Sequence, residues 1–202
     1  MPRERKFSTD EIFNTTQLLL MKYGYEGFTF SLLARALDVS RAAIYKYYMN
    51  KEELILDYMN STMQEVYDDL QSIDQQATFQ VQLDELLTKI YQYKDLHQIF
   101  EMTYYIQENA SEIVMQKKTS LKQITVNMYD VLQKLIEQGK KERFLNKKMP
   151  RDLILVFMLR SISTPNRLGF AQEEWIRSIK ELICYGIAEQ KISDTNMTFD
   201  LR

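Results

Sequence analysis

Apolar residues recur along the chain with a helical rhythm, and the places where that rhythm fails divide it into elements. Behind Ser8 and Thr9, either of which can cap a helix, Ile12, Leu18, Leu19 and Leu20 keep helical spacing, with Asp10 and Glu11 in the favourable first turn. "KYGYEG" ends that run. Gly24 suits the left-handed position after a helix, with Lys22 in the last turn. Thr29 then caps a short helix over 30–37, in which Phe30, Leu33, Ala34 and Leu37 form one face. "DVS" at 38–40 reads as a tight connection: Asp38 tolerates an unusual backbone, and Ser40 caps a third helix over 41–48. Asn50 opens a fourth, with Glu53 completing a capping-box-like signal, and this pattern runs to residue 75.

Further along, "DQQAT" separates the fourth helix from helices expected over 78–93 and 96–107 and a long one over 111–139, closed by Gly139. "NKKMPRD" punctuates again, and Pro150 suits the first turn of a helix ending near Ser163. After "STPNRLG" a last helix is expected from Glu173 to Gln190, followed by a polar tail, "SDTNMTFDLR". "RDLILVFMLRSIS" is apolar nearly all round, the pattern of a helix buried on more than one side. The last helix carries Trp175, Ile179, Leu182, Ile183 and Ile187 on one stripe. With Leu155 and Leu159, that stripe is the expected partner face of a two-plus-two helix interface between copies; packing within one chain is the alternative.

Composition agrees with helices. Five Gly and three Pro in 202 residues, beside abundant Leu, Ile, Met, Gln, Glu and Lys, argue against sandwiches and barrels. The single Cys184 excludes an internal disulfide and any Cys-based metal cage, and the single His97 removes most catalytic and zinc constellations. No cofactor is expected. The N-terminus "MPRERKFSTDE" lacks the apolar run of a signal peptide, and "LILVFML" is far too short to span a bilayer, so a soluble cytoplasmic protein is expected. The overall formal charge is −2, yet residues 1–51 are net positive: Arg3, Arg5, Lys6, Lys22, Arg35, Arg41, Lys46 and Lys51 outnumber Glu4, Asp10, Glu11, Glu26 and Asp38. That asymmetry suits a small nucleic-acid module, residues 1–51, on an acidic body, residues 52–202.

The candidate chemistry lies in the module. Two short helices joined by a three-residue turn have helix-turn-helix spacing. At about 100° per residue, Ile44 and Tyr48 of the third helix face inward, Ala42 and Lys46 point the opposite way with Ala43 beside them, and Tyr45 and Tyr47 splay to either side. Alanines let a helix backbone approach base edges, and Arg41 can reach guanine O6 and N7. Lys46 can reach a base or a phosphate. The hydroxyls of Tyr45 and Tyr47 suit the phosphate walls, while Thr29, Ser31, Ser40 and Lys51 offer further phosphate contacts.

These segments resemble the TetR-type transcriptional regulators from about Ile12 to Met59. The likeness runs through "KYGYEGFT", "LLARALDVS" and "AAIYKYYMNKEEL". Asp38 stands where the family usually has Gly, Phe30 is bulkier than usual, and Ala43 replaces a common Thr or Ser. The resemblance implies an all-α homodimer: an N-terminal three-helix DNA-binding domain with a helix-turn-helix, plus a larger C-terminal helical domain for effector binding and dimerisation. It also implies a repressor that leaves its palindromic operator when a small molecule binds.

In the body, Met63, Tyr67, Ile90, Tyr93, Phe100, Tyr104, Tyr105, Met128 and Met158 are the candidate lining of a pocket for a hydrophobic or aromatic effector, because Met and aromatics adapt to bulky apolar ligands. Met102 and Tyr129 belong to the same supply, and core packing is the alternative for each. Glu101 and Glu108 flank the aromatic run, where a buried carboxylate would favour a cation. A different reading is a DNA-bound dimer whose body recruits a protein and binds no small molecule. An enzyme is not expected, since no paired-carboxylate or phosphate-loop motif accompanies the lone His and Cys.

Overall fold

The computed structural model describes residues 7–107, 111–162, 164, 166 and 169–186. Among these residues the regular structure is helical: α1 (Thr9–Gly27), α2 (Phe30–Ala36), α3 (Arg41–Ile44), α4 (Lys51–Gln71), α5 (Phe79–Tyr91), α6 (Leu96–Met102), α7 (Glu112–Lys141), α8 (Arg151–Ile162) and α9 (Gln172–Gly186), with a 3-10 turn at Thr103–Tyr105. The chain forms two compact units, residues 1–73 with 89–131, and 74–88 with 132–202. Glu108, Ile187, the expected end of α9 at Gln190, the polar tail, Arg3, Glu4, Arg5 and Lys6, and the Cys184 side chain lie outside what is described.

In the first unit α1 packs on α2, α4 and α6, and α2 packs on α3. Ile12, Leu20, Leu33, Ile44, Leu54 and Ile55 are each 0% exposed, and burying one such side chain is worth about 1.5–3 kcal/mol. Ser8 caps α1 in a reciprocal box with Glu11. Gly24 breaks the helix: at φ 68°, ψ 179° it adopts a backbone nearly confined to glycine, and the chain turns once more before Phe28. Asn60 Nδ2 donates to the carbonyls of Leu56 and Lys117, and Lys117 pairs with Asp57, which ties α4 to α7.

The second unit holds α8 against α9 and the start of α5 against the end of α7. Glu142 accepts the Phe79 N–H, while Gln138 links Gln82, Ala77 and Glu142 in one polar network. Gly139 does not close α7 as expected; the helix runs two residues further, to Lys141. The glycine is there for space, because a Cβ would come within 2.8 Å of the Phe79 ring and of Leu145. Just past the helix end, Arg143 takes the left-handed φ of 66°.

Three other expected boundaries shift. The regular part of α3 is four residues, after which Tyr47 and Tyr48 both donate to the Ile44 carbonyl in a tightened turn. The α4 helix ends at Gln71, and α6 gives way to the 3-10 turn after Met102.

Candidate nucleic-acid interface

The turn between α2 and α3 is built from adjacent residues. Leu37 ends α2, Asp38 takes φ 52°, the Val39 N–H donates to Ala34 O at 2.9 Å, and the Asp38 N–H donates to Arg35 O at 3.3 Å. Those two bonds are the closure expected when a left-handed residue follows a helix, here supplied by Asp in place of Gly. The Thr29 hydroxyl accepts the Leu32 N–H, the Ser40 hydroxyl accepts the Ala43 N–H, and Asn50 Oδ1 accepts the Glu53 N–H. Glu53 reaches back to the Met49 N–H. Every helix start in the module therefore has its cap.

This frame sorts the candidate contacts. Ile44 and Tyr48, at 0% and 5% exposed, fill the interior. Thr29, Ser31, Ser40, Arg41, Ala42, Tyr45, Lys46 and Tyr47 are exposed, and Ala43 and Lys51 are half-buried. The two tyrosine rings are braced from behind: Phe30 meets Tyr45 edge-on at 5.1 Å, and Phe7 meets Tyr47 edge-on at 5.4 Å. Arg41 lies along Tyr45, with Nη2 donating to the phenol oxygen at 3.4 Å and the guanidinium 5.8 Å from the ring centre. An aromatic held this way gives up little side-chain freedom when its hydroxyl meets a phosphate.

Phe7 and Tyr25 were missed in the sequence. A signal for Phe7 was present, since an apolar residue just before a capping box commonly folds back on the fourth helical position. Nothing local marks Tyr25. Its hydroxyl donates to Glu52 at 2.8 Å, its carbonyl accepts Lys51 Nζ at 2.7 Å, and the same ammonium sits 4.1 Å from its ring centre. Burial first, then the bond to Glu52, then the charges of Glu52 and Glu26, raise the Tyr25 hydroxyl well above its ordinary pKa. Lys51 is thus held against α1, with donors left for a phosphate. Tyr105, from the 3-10 turn after α6, stacks on Tyr25 at 6.1 Å.

The candidate effector residues are dispersed. Met63 is core, Tyr67, Ile90, Phe100 and Met128 are half-buried, and Tyr104 and Tyr105 are 74% and 69% exposed. Met158 is buried in the second unit. Of the nine only Tyr93 lines the cleft of about 580 Å³ that α1, α4 and the segment leading into α6 enclose. Glu101 is exposed, 3.1 Å from His97 Nε2 one turn away. In the second unit Leu155, Ile179 and Ile183 are buried, Leu159 and Trp175 are half-buried, and Leu182 is 63% exposed. A side chain already buried in its own protomer has no surface to offer a partner. Among the described residues of α8, the exposed large apolar side chains are Leu153, Val156 and Phe157.

Among the described residues a capped helix-turn-helix precedes a run of further helices, the arrangement of a DNA-binding module attached to a helical body. Residues 12–58 match the family model for bacterial regulatory proteins of the tetR family, and over that stretch the chain is similar to those regulators. No protein of curated function matches it in sequence. Among solved structures, PfmR, a TetR-family regulator from Thermus thermophilus, superposes with a TM-score of 0.69 at 18% identity over 88% of this chain and 99% of its own. The ketosteroid regulator KstR2 of Mycobacterium tuberculosis gives 0.69 at 14% identity over 94% and 98%. FadR from Bacillus subtilis, solved with stearoyl-CoA, gives 0.63 at 16% identity over 89% and 100%. At these identities the likeness is one of fold. Among the described residues no helix is long and apolar enough to cross a membrane.

Proposed function

We propose that the protein is a repressor that reads a palindromic operator as a homodimer and releases it when a small effector binds. One observation carries the reading: α3 and the turn after it keep Ile44 and Tyr48 inside while leaving Arg41, Ala42, Tyr45, Lys46 and Tyr47 on the surface. Arg41 reads guanine, the alanines allow close approach, Lys46 meets a base or phosphate, and the braced tyrosines meet phosphates. Thr29, Ser31, Ser40 and Lys51 anchor the backbone on the same side. No chemical step is assigned to the chain.

Dimerisation falls to the exposed apolar residues of α8 and α9, Leu153, Val156, Phe157 and Leu182, with Leu155, Ile179 and Ile183 as the core beneath them. An apolar effector within the body is supported by the stearoyl-CoA bound to FadR, a relative by fold. Such a ligand acts only through its different affinity for the bound and released states. The Tyr25–Tyr105 stack offers the route, because a shift of α6 moves the partner of a ring fixed to Lys51 and Glu52.

The test is sequencing of duplexes retained from a random pool by the native protein and by Tyr45→Ala/Lys46→Ala. Half-sites about one helical turn apart, enriched by the native protein alone, are expected. Equal enrichment by both would mean that α3 is not the reading element.

A further inference from the structure

The cleft beneath α1 has a composition that an apolar effector does not explain. Its walls combine three rings, Phe13, Tyr58 and Tyr93, with three carboxylates, Asp10, Glu65 and Asp95, and no Lys or Arg lines it. Phe13 meets Tyr58 edge-on at 5.8 Å, and Tyr58 is only 4% exposed, so the aromatic wall is fixed by packing. The carboxylates are uncommitted. Asp95 stands at the N-cap of α6 yet makes no capping bond, and among the described residues no cation pairs with Asp10, Glu65 or Asp95. Gln92 gives its amide nitrogen to Asp69, which leaves its carbonyl oxygen to accept.

The carboxylates bear on the ring hydroxyls beside them. Burial is the main reason that the Tyr58 hydroxyl is pushed up to about 12; the Thr62 hydroxyl opposes the shift, and Glu65 and Asp95 add to it. Tyr93 is likewise pushed up to about 12, by burial first, then by Asp69 and Glu65.

Rings beside carboxylates, with no cation present, recognise a cation. The spacing of the acids says which kind. Among the described residues no three carboxylate, histidine or cysteine groups converge closely enough to hold one metal ion. The acids come from three separate segments, α1, α4 and the approach to α6, and an open cleft of about 580 Å³ suits an extended molecule that carries its charges apart. We propose that this cleft binds an aliphatic polyamine, whose spaced ammonium groups meet Asp10, Glu65 and Asp95 while its methylene segments lie on Tyr93 and on Phe13, which Tyr58 braces. Side-chain oxygens of Asn14, Gln17 and Ser61 accept the remaining N–H bonds. A ligand there bridges α1, which carries the DNA-reading module, to α4 and the start of α6. The occupied cleft holds α1 in place against α6. Occupancy stands independently of the DNA reading; only its regulatory consequence rests on it.

Calorimetric titration of the full chain with spermidine, without DNA and at physiological salt, tests the site. Saturable binding of one spermidine per protomer is expected, with no matching heat from magnesium chloride at equal ionic strength. Glu65→Gln/Asp95→Asn should weaken binding about tenfold, at the scale of two exposed charge pairs lost, and Phe13→Leu about threefold, at the scale of one ring contact. Asp130→Asn, an exposed carboxylate on α7 that does not line the cleft, should leave the affinity unchanged. Thermal melts of each variant show whether the fold survives. Absent saturation, equal binding of magnesium, or equal weakening by Asp130→Asn would each overturn the proposal, the last by reducing it to diffuse charge. The duplex-retention experiment is separate, so loss of one reading leaves the other standing.

Discussion

The module at residues 29–50 and the α8–α9 pair are both helix pairs joined by a break, and they follow different rules. In the module each feature is set by residues adjacent in sequence: Thr29, Ser40 and Asn50 cap, and Asp38 turns the chain. In α8 the apolar residues run nearly all round, and only packing decides that Ile154, Leu155 and Met158 go inside while Leu153, Val156 and Phe157 stay out. Local capping leaves few alternatives, whereas an apolar helix without a polar face has no preferred rotation until its neighbours supply one.

The largest effects should separate the two regions by the kind of damage. Ile44→Ala removes a side chain that is 0% exposed and should cost about 2–5 kcal/mol in urea unfolding. Leu182→Ala, at a position 63% exposed, should change the stability of a protomer by no more than about 0.5 kcal/mol. Paired charges there, Phe157→Glu/Leu182→Glu, should instead yield folded monomers in sedimentation at micromolar concentration. A charge at Ile179, buried at 5% exposed, should unfold the protomer rather than dissociate it. If the paired glutamates leave a dimer intact, the association surface lies elsewhere.

These contrasts also mark what could be read in advance. The elements, the inward pair Ile44 and Tyr48, and the unusual backbone at Asp38 all follow from short-range rules. The abrupt end of regular α3 does not, because the bonds from Tyr47 and Tyr48 to Ile44 tighten a stretch whose residues would continue a helix. Gly139 has the local look of a helix stop, yet it answers Phe79, far away in sequence. The cleft was unreadable for the same reason: Asp10, Glu65 and Asp95 are ordinary solvated acids until three separate segments bring them beside the same rings.

A middle-sized effect sharpens the local side of the comparison. Gly24→Ala meets no steric neighbour within 4 Å, so a packing account predicts almost no change. The backbone account differs, since φ 68° with ψ 179° is strained for any residue with a Cβ. The expected cost is about 1–3 kcal/mol, read as a lower urea midpoint with an unchanged slope. A variant as stable as the native chain would show that the kink moves freely to another backbone shape.

The smallest effect tests the module at its most local point. Asp38 holds φ 52° without glycine's freedom, and the left-handed region costs a residue with a Cβ about 1–2 kcal/mol, less for Asp, whose side chain can bond locally. Glycine would relieve that strain but widen the unfolded ensemble, which offsets part of the gain. Asp38→Gly should therefore stabilise by less than about 1 kcal/mol, a rise of a few degrees at most in the melting temperature. Because the Val39 and Asp38 N–H bonds to Ala34 and Arg35 depend only on the backbone, the position of α3 should not move, and operator affinity should follow suit. A large loss of affinity from this substitution would mean that the Asp38 carboxylate contributes to reading DNA, and that the turn is more than the geometry its neighbours impose.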